Sequence, residues 1–275
     1  MDVIEKVAVV GAGVMGSGIA TLCLASGFRV SVYDSYGGAL ERTEARARKR
    51  TEPERVERDL DLTTDLSSAV RDADFVIEAI PENLQLKRDM FAQIDRHASA
   101  KAVLATNTSE LSVTAIAAAT ERPAQVIGMH WFNPPERMAL IEIVVALQTD
   151  ERTLERTRDL AERCGKTPVV VQDRQGFVTT RALAALLCES IRILEEGVAS
   201  RDDIDAAIRL GLNHPMGPLE LADYVGLDTL LYISEAMTEA IGERFRPSQT
   251  LRKLVEAGHL GRKSGQGFYH YGDKE

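Results

Sequence analysis

The pattern of apolar and polar positions predicts short strands separated by helices over the first part of the chain. Short β-branched or apolar runs bounded by turn residues are typical of buried strands. Seven such runs occur, at 7–10, 30–33, 75–80, 103–107, 126–130, 140–145 and 169–172. Because helical stretches separate many of them, we predict a mostly parallel, doubly wound sheet with helices on both faces, an α/β fold.

The pattern changes near residue 175, and no further strand is predicted beyond it. Helical periodicity extends over 181–196 and stops at Gly197. The segment from Ser200 to Asp203 is a capping box that begins the next helix. We therefore predict an α/β domain over 1–175 and an all-helical domain over 176–275, with 173–180 as linker and hinge.

The first apolar run ends in a glycine-rich turn that contains Gly11, Gly13 and Gly16. A helix predicted over 19–26 and a second strand ending at Asp34 follow this turn. Glycines at this spacing between a strand and a helix, with an acidic residue about 20 positions on, are the fingerprint of a Rossmann-type dinucleotide-binding domain. We expect the first glycine to permit the turn, the second to let a pyrophosphate approach, and the third to let helix and strand pack closely.

The same turn predicts the identity of the dinucleotide. The N–H groups of Gly13, Val14, Met15 and Gly16, which lead into the helix, are expected to bind the phosphates. Asp34 would accept hydrogen bonds from the ribose hydroxyls and repel a 2′-phosphate, which predicts NAD rather than NADP. A tight turn without a ligand is the alternative, and the complete strand–helix–strand context favours NAD.

Polar residues follow the predicted strands at the edge where ligands bind in parallel sheets. They are Ala79, Glu82 and Lys87 after the third strand, Asn107 and Ser109 after the fourth, and His130 and Asn133 after the fifth. We predict that this set lies along one crevice.

His130 and Glu142 are predicted to face each other across an antiparallel hairpin that turns at Asn133. A carboxylate on one imidazole nitrogen would fix the tautomer and raise the basicity of the other nitrogen, as a general base requires. From spacing alone, a structural histidine is an equal alternative. Ser109 is equally consistent with a loop residue before a helix capped by Ser112.

Composition and charge exclude several classes of function. The net charge is −9, which argues against a general nucleic-acid binder and provides no electrostatic attraction to an anionic membrane. The three cysteines, Cys23, Cys164 and Cys188, lie far apart without metal-ligand spacing, so no metal site is expected. The first residues show no signal-peptide pattern, and we expect a cytoplasmic protein.

Motifs along nearly the whole chain resemble those of the 3-hydroxyacyl-CoA dehydrogenases, in particular the short monofunctional bacterial enzymes that act on 3-hydroxybutyryl-CoA. The matching segments are 11–18, 77–83, 105–109, 130–135, 165–168, 176–178, 214–228 and 261–269.

This resemblance implies reversible hydride transfer between NAD and C3 of an L-3-hydroxyacyl-CoA, with short chains preferred. It implies that His130 is the catalytic acid/base, that Glu142 orients it, and that Ser109 and Asn133 hold the substrate oxygen and the reacting centre. It further implies a homodimer formed through the helical domain. The cofactor contacts that it implies beyond the glycine turn and Asp34 are Ala79, Glu82, Lys87 and Asn107.

Two departures from the family pattern bear on the substrate. Thr180 stands where members of the family commonly have asparagine. The segment 35–73 is shorter than the helical hairpin that clamps CoA in the family, and only 38–50 and 54–62 remain, with Arg46 on a basic face. The alternatives are therefore a hydroxyacyl group on an acyl carrier protein, a free hydroxy acid, or a non-catalytic nucleotide-binding or structural relative.

Overall fold

A computed structural model describes residues 3–272 and divides the chain into two compact units. The first unit ends at Phe177 and the second begins at Val178.

One sheet organises the first unit. Its strands within the described residues are β1 (Lys6–Val10), β2 (Arg29–Tyr33), β3 (Leu60–Thr63), β4 (Phe75–Glu78), β5 (Val103–Thr106), β6 (Val126–Trp131), β7 (Leu140–Val145) and β8 (Thr167–Gln172). Their order in the sheet is β3-β2-β1-β4-β5-β6-β7-β8. Every neighbouring pair is parallel except β6 and β7. The predicted doubly wound fold is confirmed.

Helices cover both faces of this sheet. They are α1 (Val14–Ala25), α2 (Gly37–Arg48), α3 (Pro53–Asp59), α4 (Leu66–Val70), α5 (Leu84–His97), α6 (Val113–Ala117) and α7 (Glu151–Arg163). Alternate strand residues enter opposite cores, so Val9 packs with α1 and α7 while Val10 packs with α4, α5 and α6. Ser112 caps α6 through the N–H of Ala115, as predicted.

The segment 54–62 differs from its prediction. The helix α3 ends at Asp59, and Leu60–Thr63 joins the edge of the sheet beside β2. Leu60 and Leu62 pack against the core while Asp61 between them is exposed, which is the two-residue period of a strand. A strand of four residues is too short for this period to stand out from a helical pattern in the sequence.

The second unit is helical, as predicted. Its α-helices within residues 178–272 are α8 (Thr179–Glu195), α9 (Arg201–Gly211), α10 (Pro218–Val225), α11 (Leu227–Ile241) and α12 (Gln249–Glu256). The hydroxyl of Ser200 accepts from the N–H of Asp203, which confirms that Ser200 caps the start of α9.

The buried carboxylate of Asp223 organises the end of the second unit. It accepts hydrogen bonds from the N–H groups of Phe268 and Tyr269 and from the Tyr271 hydroxyl. A Cβ atom at Gly267 would lie 1.9 Å from Asp223 Oδ1, so only glycine fits there. The glycine-rich motif near the end of the chain is therefore explained by packing around Asp223.

Over 3–272 no helix is both long and apolar enough to cross a membrane. Nor does that part of the chain bring together three His, Cys, Asp or Glu side chains in a way that could hold a metal ion.

Candidate active site

The site forms where the carboxyl ends of β1, β4, β5 and β6 lie side by side. β1 lies between β2 and β4, so the chain crosses over after β3 and the loops that follow β1 and β4 meet at the same edge. Such a crossover leaves a crevice in which open α/β sheets bind ligands. Gly11 and Ala79 touch across it, since a Cβ at Gly11 would lie 2.8 Å from the Ala79 oxygen.

The glycine turn after β1 has the geometry that the fingerprint requires. Gly11 has φ +101°, a conformation that favours glycine. A Cβ at Gly16 would lie 1.8 Å from the Gly11 oxygen, whereas one at Gly13 would meet nothing within 4 Å. Gly13 begins α1 without a side-chain cap, and the first turn holds no acidic residue. The exposed start of this helix therefore fits a pyrophosphate.

Asp34 is fixed beside this turn. Its Oδ2 accepts from the N–H of Ala12 at 2.7 Å, and its Oδ1 accepts from the N–H of Tyr36 at 2.9 Å. Each carboxylate oxygen keeps a further lone pair for a ribose hydroxyl. The residues present therefore fit NAD, for which the glycine turn would hold the phosphates and Asp34 would hold the ribose.

A buried ion pair supports the turn after β4. Glu78 Oε1 accepts from Lys87 Nζ and from the N–H of Ile80, both at 2.7 Å, and Oε2 accepts from the Thr106 hydroxyl at 2.7 Å. The Lys87 side chain is 1% exposed, and it also donates to the Ile80 oxygen. The cofactor contact of Lys87 stays a prediction. The role of Glu78 was missed, because an acidic residue inside an apolar strand gives no signal of its partners.

Glu82 connects this turn to the loop after β5. Its Oε1 accepts from the Thr108 hydroxyl and, at 2.8 Å, from the N–H of Ser109. Asn107 Oδ1 accepts from the N–H of Trp131 at 3.1 Å and so joins the end of β5 to the end of β6. The predicted residues Glu82, Asn107 and Ser109 are thus brought together, as the chain order indicated.

The predicted pairing of His130 with Glu142 is confirmed. They are opposite each other in the antiparallel β6–β7 pair, and His130 Nδ1 lies 2.8 Å from Glu142 Oε2. Both residues are buried, at 5% and 1% exposure. Because a carboxylate only accepts, Nδ1 carries the hydrogen in this pair, and in the neutral imidazole Nε2 then carries the lone pair. The geometry leaves Nε2 as the nitrogen suited to take a proton from a bound hydroxyl.

Two aromatic rings pack against the imidazole. Phe132 lies at 4.4 Å and Phe177 at 5.8 Å between ring centroids. Phe177 has φ +46°, which is rare for a residue with a side chain, and it follows Gly176 at φ +73°. Sequence reasoning missed Phe177 as a neighbour of His130, because about 47 residues separate them along the chain.

Arg46 has partners within the protein. It donates twice to Glu136, at 2.8 and 2.9 Å, and also to the Val14 oxygen and the Ser17 hydroxyl, each at 2.9 Å. Burial would raise the pKa of Glu136, but the hydrogen bonds from Arg46 and from the Glu136 backbone, with the charges of Arg46 and Arg50, together outweigh burial and hold this pKa below its ordinary value. Arg46 therefore ties α2 to α1 and to the loop after β6, and it is not a free phosphate ligand. Exposed Asn133 begins that loop.

Comparisons with known proteins identify the family. The family model described as "3-hydroxyacyl-CoA dehydrogenase, NAD binding domain" matches residues 6–174, and that of the C-terminal domain matches 176–271. The chain belongs to the 3-hydroxyacyl-CoA dehydrogenase family. It is therefore an NAD-dependent oxidoreductase, and the resemblance in its motifs is confirmed.

Curated relatives and a solved structure agree along the whole length. The chain is 44% identical to a probable 3-hydroxybutyryl-CoA dehydrogenase of Deinococcus radiodurans, over 97% of this chain and 100% of that one. It is also 44% identical to a 3-hydroxybutyryl-CoA dehydrogenase of Mycobacterium tuberculosis, over 98% and 99%. The crystal structure of (S)-3-hydroxybutyryl-CoA dehydrogenase from Ralstonia eutropha has a TM-score of 0.94 and 38% identity, covering 98% and 100%.

Proposed function

We propose that the chain interconverts L-3-hydroxybutyryl-CoA and acetoacetyl-CoA with NAD. The observation that carries this proposal is the buried His130–Glu142 pair, at 2.8 Å, at the sheet edge that also holds the glycine turn. The substrate class follows the relatives, which are 44% identical over nearly their whole length and bear the name 3-hydroxybutyryl-CoA dehydrogenase.

In the proposed oxidation, His130 accepts the proton of the C3 hydroxyl at Nε2. NAD, when bound, supplies the hydride acceptor. Glu142 stabilises the imidazolium that forms, because its carboxylate accepts from Nδ1 and brings an opposite charge to a buried site. Reduction runs the same steps in reverse, so protonated His130 then acts as the acid.

Ser109 and Asn133 are proposed to hold the substrate oxygen. Negative charge develops there as the proton leaves, and hydrogen-bond donors placed in advance stabilise it. Ser109 is positioned through its N–H on Glu82. Asn133 lies at the start of the loop that Lys166 holds by donating to the Pro135 and Met138 oxygens. Thr180, in the first turn of α8, stays a proposed site of altered substrate contact.

The direct test follows NADH absorbance with acetoacetyl-CoA as substrate. We expect oxidation of NADH that depends on the thioester. Acetoacetyl-pantetheine, which lacks the nucleotide, tests the carrier in the same assay.

A carrier-protein substrate is the second candidate, and Arg46 is the observation that favours it. Since Arg46 is occupied by Glu136, the short segment after β2 loses one candidate contact with the CoA nucleotide. We expect acetoacetyl-pantetheine to lose little in kcat/KM relative to the CoA ester. A preference for the full CoA ester of several hundredfold would exclude this candidate.

We also propose a homodimer formed through the second unit. Leu210 and Leu212, near each other at the end of α9, are 73% and 66% exposed, and neighbouring exposed apolar side chains mark interaction surfaces. Sedimentation velocity would test the assembly, with a monomer as the contrary result. The cytoplasmic location stays a prediction, for which cell fractionation is the test.

A further inference from the structure

Glu110 follows Ser109 in the loop after β5, and its carboxyl group is buried. The residue is 3% exposed. Within the described part of the chain, its Oε2 is fully buried and has no hydrogen-bond partner. A buried carboxylate without donors is costly, and such a group takes up a proton instead. Nothing in the mechanism above uses Glu110.

The charged groups around this loop do not compensate Glu110. Glu82, from the loop after β4, carries the charge that acts on it, and this charge has the same sign. Lys87 is directed to Glu78 and lies 3.5 Å from Glu82. Asp173, from the end of β8, accepts from the N–H groups at the start of α6.

Burial, together with the charge of Glu82, raises the pKa of the Glu110 carboxyl to about 7. Its ordinary value is 4.5, so this group changes its charge near neutral pH in the folded protein. Desolvation is the larger cause, which agrees with the unpartnered oxygen.

The backbone around Glu110 is tied to the same carboxylate that opposes it. Thr108 donates to Glu82 Oε1, and its hydroxyl accepts from the N–H groups of Glu110 at 3.3 Å and Leu111 at 2.8 Å. Ser109 also donates its N–H to Glu82 Oε1, at 2.8 Å. If Glu110 ionises, it must either stay beside a like charge or move to water. Moving would pull on the turn that places Ser109.

We propose that Glu110 is a positioning residue for Ser109: its neutral carboxyl packs under the catalytic loop, and its ionisation displaces that loop and lowers activity. In the oxidation direction, the activity therefore falls with rising pH as Glu110 ionises. There His130 alone gives the opposite trend, because a base must be neutral to accept a proton. The inference rests on the proposed function, and it predicts a bell-shaped profile with a descending limb that belongs to Glu110.

The first experiment measures kcat/KM for oxidation of L-3-hydroxybutyryl-CoA from pH 5.5 to 9, in the wild type, Glu110→Gln and Glu155→Gln. Glu155 is an exposed acid on α7 and serves as the charge-matched control. We expect the wild type to lose up to about tenfold per pH unit above its midpoint. Glu110→Gln should keep the ascending limb and lose the descending one, and Glu155→Gln should behave as the wild type. A descending limb that persists unchanged in Glu110→Gln would overturn the proposal.

Thermal unfolding separates this inference from the proposed function. The pKa of Glu110 is raised in the folded state, so the wild type should lose stability as pH rises from about 4.5 to about 7. The Tm of Glu110→Gln minus that of the wild type should therefore increase over this window and level off above it. Glu110→Ser provides a second uncharged variant if the glutamine variant does not fold. A difference independent of pH would reject the neutral carboxyl even if no activity on the thioester is found, whereas missing activity alone rejects only the proposed function.

Discussion

Alanine at Gly13 should separate cofactor binding from folding. Gly13 has φ −68° and ψ −168°, which alanine adopts without strain, and a Cβ there meets nothing within 4 Å. At Gly16 a Cβ would lie 1.8 Å from the Gly11 oxygen, which is backbone and cannot swing away. The two substitutions add the same methyl group to the same turn, so each is the control for the other.

The magnitudes follow from these contacts. Gly13→Ala gains about 0.4–1 kcal/mol by restricting the unfolded chain and loses a similar amount at the N-cap, so its Tm should change by only a few degrees. Gly16→Ala overpacks the strand–helix contact, and overpacking costs about 1–3 kcal/mol or more. If the pyrophosphate approaches Gly13, a similar cost falls on binding in Gly13→Ala. This should raise the Kd for NADH by about 5- to 150-fold.

Two measurements decide the matter: the Tm of each variant, and a fluorescence titration with NADH. We expect Gly13→Ala to unfold like the wild type and to bind NADH weakly, and Gly16→Ala to unfold at a clearly lower temperature. Wild-type affinity in Gly13→Ala would refute the placement of the pyrophosphate at this turn.

Three further predictions address the His130–Glu142 pair, the cofactor, and the ion pair between Arg46 and Glu136. His130→Ala should lower kcat by about 10²–10⁴-fold with NADH binding intact. Glu142→Gln should lower kcat by about 10–150-fold, from the loss of about 1.5–3 kcal/mol of charged hydrogen bond. Asp95→Asn, which weakens the half-buried ion pair with Arg122, should lower the Tm but leave kcat near the wild type. Asp34→Ala should erode the preference for NADH over NADPH, and a wild type with higher kcat/KM for NADPH would contradict this role. Glu136→Gln should lower the Tm at pH 7; because the folded pKa of Glu136 is lowered, the deficit should shrink as pH falls below about 4.5, which scans from pH 3 to 7 would detect.

The fold could be predicted wherever the local pattern was strong. Seven of the eight strands in the described residues were visible because strands buried on both faces are continuous apolar runs. The strand Leu60–Thr63 was missed because it lies at the edge of the sheet and pairs with β2 alone. Its status as a strand depends on that neighbour, which is distant in sequence.

The candidate site also has residues that the sequence could place and contacts that it could not predict. Chain order alone placed Glu82, Ser109 and His130 at one edge, since parallel strands bring their carboxyl ends together. It could not show that Lys87 is directed to Glu78, because the direction of a buried side chain depends on which partners surround it.

The sequence by itself determined the family, the cofactor and the pairing of His130 with Glu142, because these rest on motifs whose spacing is local or spans one hairpin. Only the tertiary structure decided which charges are compensated. Arg46 forms an ion pair with Glu136, whereas the charge that acts on Glu110 is the like charge of Glu82. The free energy of a charge depends on burial and on every group packed around it, and these are properties of the folded chain that no segment carries alone.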